Sequence, residues 1–310
     1  MSHFQCSRGP GPPHGYGHAR RSLGEGGTLA RPSTLLGATL SLSKGRAAGA
    51  LVADDRFRTF YADEIAGRAP RPARAYALAC IAGLLMTAGA GCLLLVGAAT
   101  GFRARRLYAV VTARIARVVL RLYGIRLEVH GHLAAGRQVV YISNHTSTLD
   151  LFVLVALDLP RTRFFLSGFL RRVLPLGAIA WLLGTFFTVP QTRPAERRRI
   201  FARADRILRR TRESVYLSPE GGRITTGRIG HFNKGAFHLA TSLRAPIVPL
   251  FIRIPPHVDP RRGLDARPGA VAVHVLPEID TRDWRLDDLT ENTARVRNLY
   301  VQLQEAFTCA

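Results

Sequence analysis

Residues 138–157 read QVVYISNHTSTLDLFVLVAL. The stretch opens on a short apolar run, Gln138–Ile142. It passes through a polar segment, Asn144–Ser147, and from residue 148 to 157 becomes apolar with a helical beginning. A strand that empties into a polar loop and then a helix is the unit from which α/β domains are built, and the loop at the strand end is where such domains carry chemistry.

The pattern repeats on both sides. Ile125–His130 alternates like a strand, and further strand-like runs occupy 185–189, 214–218, 247–253 and 270–276. Helical stretches fall at 194–213, 234–243 and 286–307. The expected fold is therefore α/β, a mixed sheet flanked by helices. Val173–Phe187 is almost wholly apolar. It is too short to span a bilayer with ease and is expected as a core helix or as part of a membrane-facing surface.

Upstream, residues 1–70 are rich in Gly, Pro, Ser, Arg and His and lack a sustained apolar period. A segment of this kind buries too little apolar surface to offset its ordering entropy, so a disordered extension is expected there. It also lacks the basic start, apolar core and small-residue cleavage site of a secretory signal. Residues 76–100 carry no charge and supply the roughly 20 apolar residues that a bilayer span needs. A transmembrane or membrane-associated helix is expected, the alternative being a core helix of a soluble domain. Arg68, Arg71 and Arg74 precede it, and Arg103, Arg105, Arg106 and Arg114 follow. That slight excess puts the larger part, residues 104–310, on the cytoplasmic side. Between 104 and 122, Leu107, Val110, Val111, Ile115, Val118, Val119 and Leu122 share one helical stripe and the arginines lie largely off it. Such a helix suits the headgroup layer or the surface of the globular domain.

Composition narrows the function classes. The 310-residue chain carries a formal net charge of +23, which by itself suits nucleic acid, an anionic membrane or an acidic carrier. Yet Lys44 and Lys234 are its only lysines and the arginines are scattered throughout. No basic stretch is interleaved with aromatics as a nucleic-acid module requires, so nucleic acid is not an expected partner. Cys6, Cys80, Cys92 and Cys309 show no paired spacing that suggests a disulfide framework or a metal site.

His145 and Asp150 are the first candidates for chemistry. Five residues along a helix is about 140° of rotation, so the two cannot simply stack on one face. They can meet if His145 lies in the loop before the helix and Asp150 in its first turns. The carboxylate then fixes one imidazole nitrogen and leaves the other to take a hydroxyl proton. Alone, the pair is also what an ordinary loop and an ordinary first helical turn contain. A second group follows the run Val215–Leu217: Ser218-Pro219-Glu220-Gly221-Gly222-Arg223. It is a glycine-rich loop with a carboxylate and a guanidinium, suited to a polar ligand. Phe232-Asn233-Lys234-Gly235-Ala236-Phe237 adds a cation at a helix start, and Ala245-Pro246-Ile247-Val248-Pro249-Leu250 leads into another strand. Metal-assisted hydrolysis through His145 and Asp150 would need further clustered ligands that the sequence does not offer, so no metal is expected.

Taken in order, these four segments resemble the blocks of the glycerolipid acyltransferase family, which includes 1-acylglycerol-3-phosphate acyltransferases. The resemblance covers roughly residues 120–255. It implies an O-acyltransferase in which His145 is the general base, Asp150 orients it, and no acyl-enzyme forms. Glu220, Gly221 and Arg223 would bind the acceptor, with Lys234 nearby. It further implies acyl-CoA or acyl carrier protein as donor in place of a bound cofactor, with acyl carrier protein a candidate partner. The acceptor would be the lyso-lipid 1-acylglycerol-3-phosphate, giving phosphatidic acid, and the location a membrane, expected to be a bacterial inner membrane. Two positions depart from the family pattern. Where its second block ends in an arginine, this chain has Val189-Pro190, leaving Arg193 as the nearest replacement, and Gly222 stands where threonine is usual. The departures fall in the acceptor-recognition blocks. They keep open another lyso-lipid, such as lyso-ornithine lipid, and a non-catalytic lipid-binding homologue.

Overall fold

A computed structural model of the chain describes residues 72–309, apart from 135, 225, 227 and 262. The expected disordered extension over residues 1–70 lies outside the described residues. The first elements are two helices, α1 (Pro72–Ala99) and α2 (Arg105–Leu122). Helix α1 is long and apolar enough to cross a membrane. It leaves Tyr76, Ile81, Leu84, Leu94 and Leu95 exposed.

The sheet that follows contains β1 (Ile125–His130), β2 (Val140–Ser143), β3 (Thr162–Ser167), β4 (Phe186–Thr188), β5 (Ser214–Leu217), β6 (Ile247–Arg253) and β7 (Gly269–Val275). Their spatial order is β1-β7-β6-β2-β5-β3-β4. Strands β6, β2, β5, β3 and β4 run parallel, whereas β7 is antiparallel to β6 and pairs in parallel with β1. The mixed α/β sheet is the one the sequence leads to. Strand β2 sits inside it, and all four of its residues are buried. Burial on both faces is why this strand reads as a continuous apolar run without alternation.

Alternate β2 residues enter two cores. Tyr141 packs with Val119 and Leu120 of α2 and with Val153 and Leu154 of α3 (Leu149–Ala156). Val140 and Ile142 pack on the opposite face against α5 (Pro194–Thr211), α6 (Gly235–Leu243) and α7 (Leu289–Cys309). The apolar stretch 173–187 is divided: a short helix α4 (Leu176–Leu182), a left-handed turn at Gly184, then β4. Strand β3 has no counterpart in the sequence reading. Arg163 interrupts its apolar run, and distant partners, Glu213 50 residues away and Gly184 O, make that arginine acceptable in a buried strand. The Arg163 Nε to Glu213 Oε2 distance is 2.7 Å, and the other Glu213 oxygen takes Arg105 Nη1 at 2.6 Å. Burial pulls the Arg163 guanidinium below its ordinary value, opposed by the hydrogen bond and charge of Glu213.

Candidate active site

The parallel strands β2, β5, β3 and β4 deliver their carboxyl ends to one edge of the sheet, the edge on which open α/β sheets bind ligands. His145 leaves the end of β2 and Glu220 the end of β5, strands that are direct neighbours. Asp150 is the second residue of α3 and is buried, 1% exposed. One of its oxygens, Oδ2, accepts three bonds: from Thr146 N at 2.7 Å, from Ser147 N at 2.9 Å and at the imidazole Nδ1 of His145 at 2.8 Å. The backbone amides at the helix start orient the carboxylate, and the carboxylate orients the ring. His145 remains 29% exposed at its side chain, so the ring edge bearing Nε2 is within reach of a substrate.

The peptide that carries His145 is fixed from three directions. Asn144 is buried and pairs through its side chain with β6 as another strand would: Nδ2 donates to Ile252 O at 2.9 Å and Oδ1 accepts from Ile252 N at 2.8 Å. Glu220 Oε2 accepts from His145 N at 2.5 Å, and Oε1 accepts from Gly230 N at 2.7 Å. His145 O in turn accepts from Ile224 N at 2.8 Å. Behind the loop, Ser143 Oγ and the Tyr216 hydroxyl lie 2.9 Å apart, and the Tyr300 hydroxyl donates to Ile142 O and Leu250 O at 3.0 and 3.1 Å. Burial pushes the Glu220 carboxyl up to about 7, helped by the charge of Asp150 and opposed by the N–H bonds from Gly230 and His145. Burial likewise raises Asp259, which accepts from Ser147 and from Arg261 N in the same loop cluster.

The structure thus gathers His145, Asp150, Glu220, Gly221 and Arg223 at one edge. Arg223 Nη1 donates to Thr148 Oγ1 at 2.6 Å, and Thr148 itself is tied through N and Oγ1 to Arg261 O. Gly221 has φ +68°, a left-handed backbone that disfavours other residues. A Cβ there would stand 2.9 Å from Asn233 Nδ2 and 3.3 Å from Gln191 Nε2. That contact brings the loop after β4 against the glycine-rich loop, where Gln191 Nε2 donates to Asn233 Oδ1 at 3.3 Å. Two residues of the sequence reading turn elsewhere. Arg193 is ion-paired with Glu196 in the first turn of α5, and Lys234 Nζ donates to Thr290 Oγ1 at 2.6 Å, reaching toward α7. Glu220 also differs in manner, since both its oxygens accept backbone N–H groups and neither turns outward. Asn144, Thr148 and Tyr300 have no local signal in the sequence, because their partners lie 50 to 158 residues away. Among the described residues, no three His, Cys, Asp or Glu side chains gather as metal ligands.

Beside α3 runs a narrow apolar slot with about 550 Å³ of empty space, its open mouth included. Leu151, Phe152 and Val155 of α3 form one side, and Leu166, Leu170 and Leu176 the other. Since α3 also carries Asp150, polar site and slot share one helix.

Comparison with known proteins bears on the domain as a whole. Residues 126–253 match the Acyltransferase family. The chain is similar to a 1-acyl-sn-glycerol-3-phosphate acyltransferase of Limnanthes alba, 29% identical over 204 residues, covering 61% of this chain and 66% of the relative. It is 30% identical over 179 residues to 1-acyl-sn-glycerol-3-phosphate acyltransferase alpha of Homo sapiens, covering 57% and 63%. To the Saccharomyces cerevisiae enzyme of the same name as the Limnanthes protein it is 30% identical over 196 residues, covering 62% and 64%. The matched regions therefore span just under two thirds of these relatives. The crystal structure of the 1-acyl-sn-glycerophosphate (LPA) acyltransferase PlsC from Thermotoga maritima shares the fold, with a TM-score of 0.56 over 73% of this chain and 97% of that one, at 18% identity.

Proposed function

We propose that the chain, whose residues 126–253 match the Acyltransferase family and which is similar to 1-acyl-sn-glycerol-3-phosphate acyltransferases, transfers a fatty acyl group from the thioester of acyl-CoA or acyl carrier protein to the hydroxyl of 1-acylglycerol-3-phosphate, giving phosphatidic acid. The observation that carries the reading is the His145 Nδ1 to Asp150 Oδ2 contact of 2.8 Å on a carboxylate already fixed by two backbone N–H groups. In the reaction, Asp150 keeps Nδ1 protonated and stabilises the imidazolium, and Nε2 takes the acceptor's hydroxyl proton. The oxygen attacks the thioester carbonyl, the C–O bond forms, the C–S bond breaks, and the leaving sulfur receives the proton from His145. A side-chain nucleophile has no part in this sequence.

Glu220 positions the His145 peptide through its N–H, and Arg223 and Gly221 border the place for the acceptor head. The apolar slot beside α3 suits an acyl chain, since its lining is almost wholly hydrocarbon. Helix α1 is read as the membrane anchor, supported by its length, its composition and its exposed apolar side chains. The location that goes with this reading is the inner membrane of a bacterium with the catalytic part in the cytoplasm, supported by the arginines that follow α1.

One observation favours a second acceptor. The wall opposite Gly221 is the amide pair Gln191–Asn233, following Val189-Pro190, and Arg193 is held by Glu196. A neutral wall suits a lyso-lipid without a phosphate, such as lyso-ornithine lipid. Membranes containing the protein, given acyl-CoA or acyl carrier protein thioester and a panel of lyso-lipids, separate the two by product mass. Phosphatidic acid formation that disappears in His145→Ala supports the first reading. Turnover of the other acceptor alone replaces it, and activity retained in His145→Ala refutes the general-base role.

A further inference from the structure

The connection between β3 and β4, residues 168–185, has two apolar sides. One faces inward: Leu170 and Leu176 line the slot, and Ile179 and Leu182 are buried against Leu93 of α1 and Tyr108 of α2. The other faces outward, and it carries Phe169, Leu174 and Trp181, which are 71%, 78% and 56% exposed. Phe169 stands in a 3-10 turn (Gly168–Arg172), Leu174 in the link after it and Trp181 near the end of α4; large apolar side chains left this open within one short segment mark an interaction surface. The patch does not end with the segment. The Trp181 ring meets the edge of Phe102, itself exposed, at 5.2 Å between centroids, and Phe102 stands in the turn between α1 and α2. Leu94 and Leu95 of α1, the helix that precedes this turn, are exposed as well.

Charge identifies the occupant. Asp and Glu are absent from Pro72 to Leu127 and again from Leu159 to Ala195. The outward charges near the patch are thus arginines, with Arg171 and Arg172 inside the segment and Arg103 and Arg106 beside Phe102, all exposed. Two copies of such a surface meeting about a two-fold axis would set arginine against arginine. A bilayer containing anionic lipid meets both needs: hydrocarbon for Phe169, Leu174 and Trp181, phosphate for the guanidinium groups. Tryptophan and arginine are also the side chains that settle at headgroup depth.

We propose that Phe169, Leu174 and Trp181, rimmed by Arg171 and Arg172, form a lipid-binding lip of the catalytic domain itself, distinct from the anchor α1, which enters an anionic leaflet. Because Leu170 and Leu176 on the reverse of the lip form a wall of the slot, insertion sets the slot against the leaflet, and an acyl chain passes between them without crossing water. The proposal rests on the acyl-transfer reading only for that last step; the lip itself is tested without catalysis.

The chain has two tryptophans, Trp181 and Trp284, and Trp284 is partly buried against Phe237. Trp284→Phe, or Trp284→Tyr should the first fold poorly, leaves Trp181 as the sole reporter in the full-length protein. This variant is reconstituted in phosphatidylcholine–phosphatidylglycerol vesicles whose lipids are brominated at defined depths. The expected result is a blue-shifted emission quenched most by bromines near the headgroup and little by aqueous iodide. Emission that bromolipids leave unchanged overturns the proposal, whether iodide reaches the ring or another protein surface shields it. In a second arm, Phe169→Ser with Leu174→Ser should lower acyl transfer to vesicle-borne acceptor at least fivefold and leave transfer to a detergent-dispersed short-chain acceptor within twofold. Equal loss on both substrates refutes the lip's role in transfer. Inactivity of the wild-type chain on either substrate would count against the acyl-transfer reading, whereas the quenching pattern would still decide whether the lip enters the leaflet.

Discussion

Replacing Asp150 by Asn separates the two tasks of that carboxylate. In the serine-protease arrangement, an amide at the corresponding place presents the wrong tautomer to the histidine and the rate falls about 10⁴-fold. Here the amide cannot readily turn. Oδ2 accepts from Thr146 N and Ser147 N as well as meeting His145 Nδ1, so a flipped amide would set its NH2 against two backbone donors. The oxygen stays, Nδ1 stays protonated, and what is lost is the negative charge beside the imidazolium. At about 4 Å between charge centres and an effective dielectric of about 20, that attraction is about 4 kcal/mol. The dipole of the amide returns part of it, leaving about 2–3 kcal/mol, or roughly 30- to 150-fold in kcat. The fold should change little, since Oδ1, the oxygen replaced by NH2, has no hydrogen bond to lose, and relief of a buried charge offsets the cost of an unpaired NH2. The assay is single-turnover acyl transfer with Asp150→Asn, His145→Ala and the double variant, alongside thermal melts. The double variant should be no slower than His145→Ala, because the two residues act as a unit. A loss under about threefold, or one of about 10⁴ or more with an unchanged melt, would show that the carboxylate does not work in this way.

Glu220→Gln should reduce kcat by about tenfold or more, since an amide cannot accept from both His145 N and Gly230 N. It should also change the pH dependence of stability. The carboxyl titrates near 7 in the folded protein against an ordinary 4.5, so its contribution is complete below about 4.5 and is lost as the pH rises through 7. Denaturation midpoints taken at about pH 5 and pH 8 should therefore move in favour of the variant by on the order of 3 kcal/mol. Asn144→Leu removes both bonds to Ile252 and leaves two buried backbone groups unpaired; a stability loss of about 2–4 kcal/mol by urea denaturation is expected. Gly221→Ala places a Cβ at φ +68° and 2.9 Å from Asn233 Nδ2, so about 1–2 kcal/mol of strain should appear, with acceptor KM raised more than donor KM.

The sequence was most legible where a requirement is local. Strand β2 announces itself because both of its faces are buried, and α3 because its apolar run begins directly after the polar loop that holds His145. The His145–Asp150 pair was legible because loop and first helical turn are adjacent in the chain, so spacing alone limits the geometry. Strand β3 was not, because Arg163 is tolerated through partners far along the chain, Glu213 above all. Nor was the inward turn of Glu220, whose partners are the peptide of His145, 75 residues earlier, and that of Gly230. Arg193 and Lys234 show the converse. Their charge was readable, but Glu196 and Thr290 decide where it goes.

The bond from the Tyr300 hydroxyl to Ile142 O spans 158 residues, and the Asn144–Ile252 pair spans 108. Ribosomes deliver the chain from its amino end, so β2 and the histidine loop emerge long before the segments that secure them. Separations of this size are also slow to close, since loop entropy is lost before contacts repay it. Helix α1 leaves the ribosome earlier still. A nascent protein can thus reach its destination with the histidine loop unsecured, and competence for catalysis waits on the docking of α7.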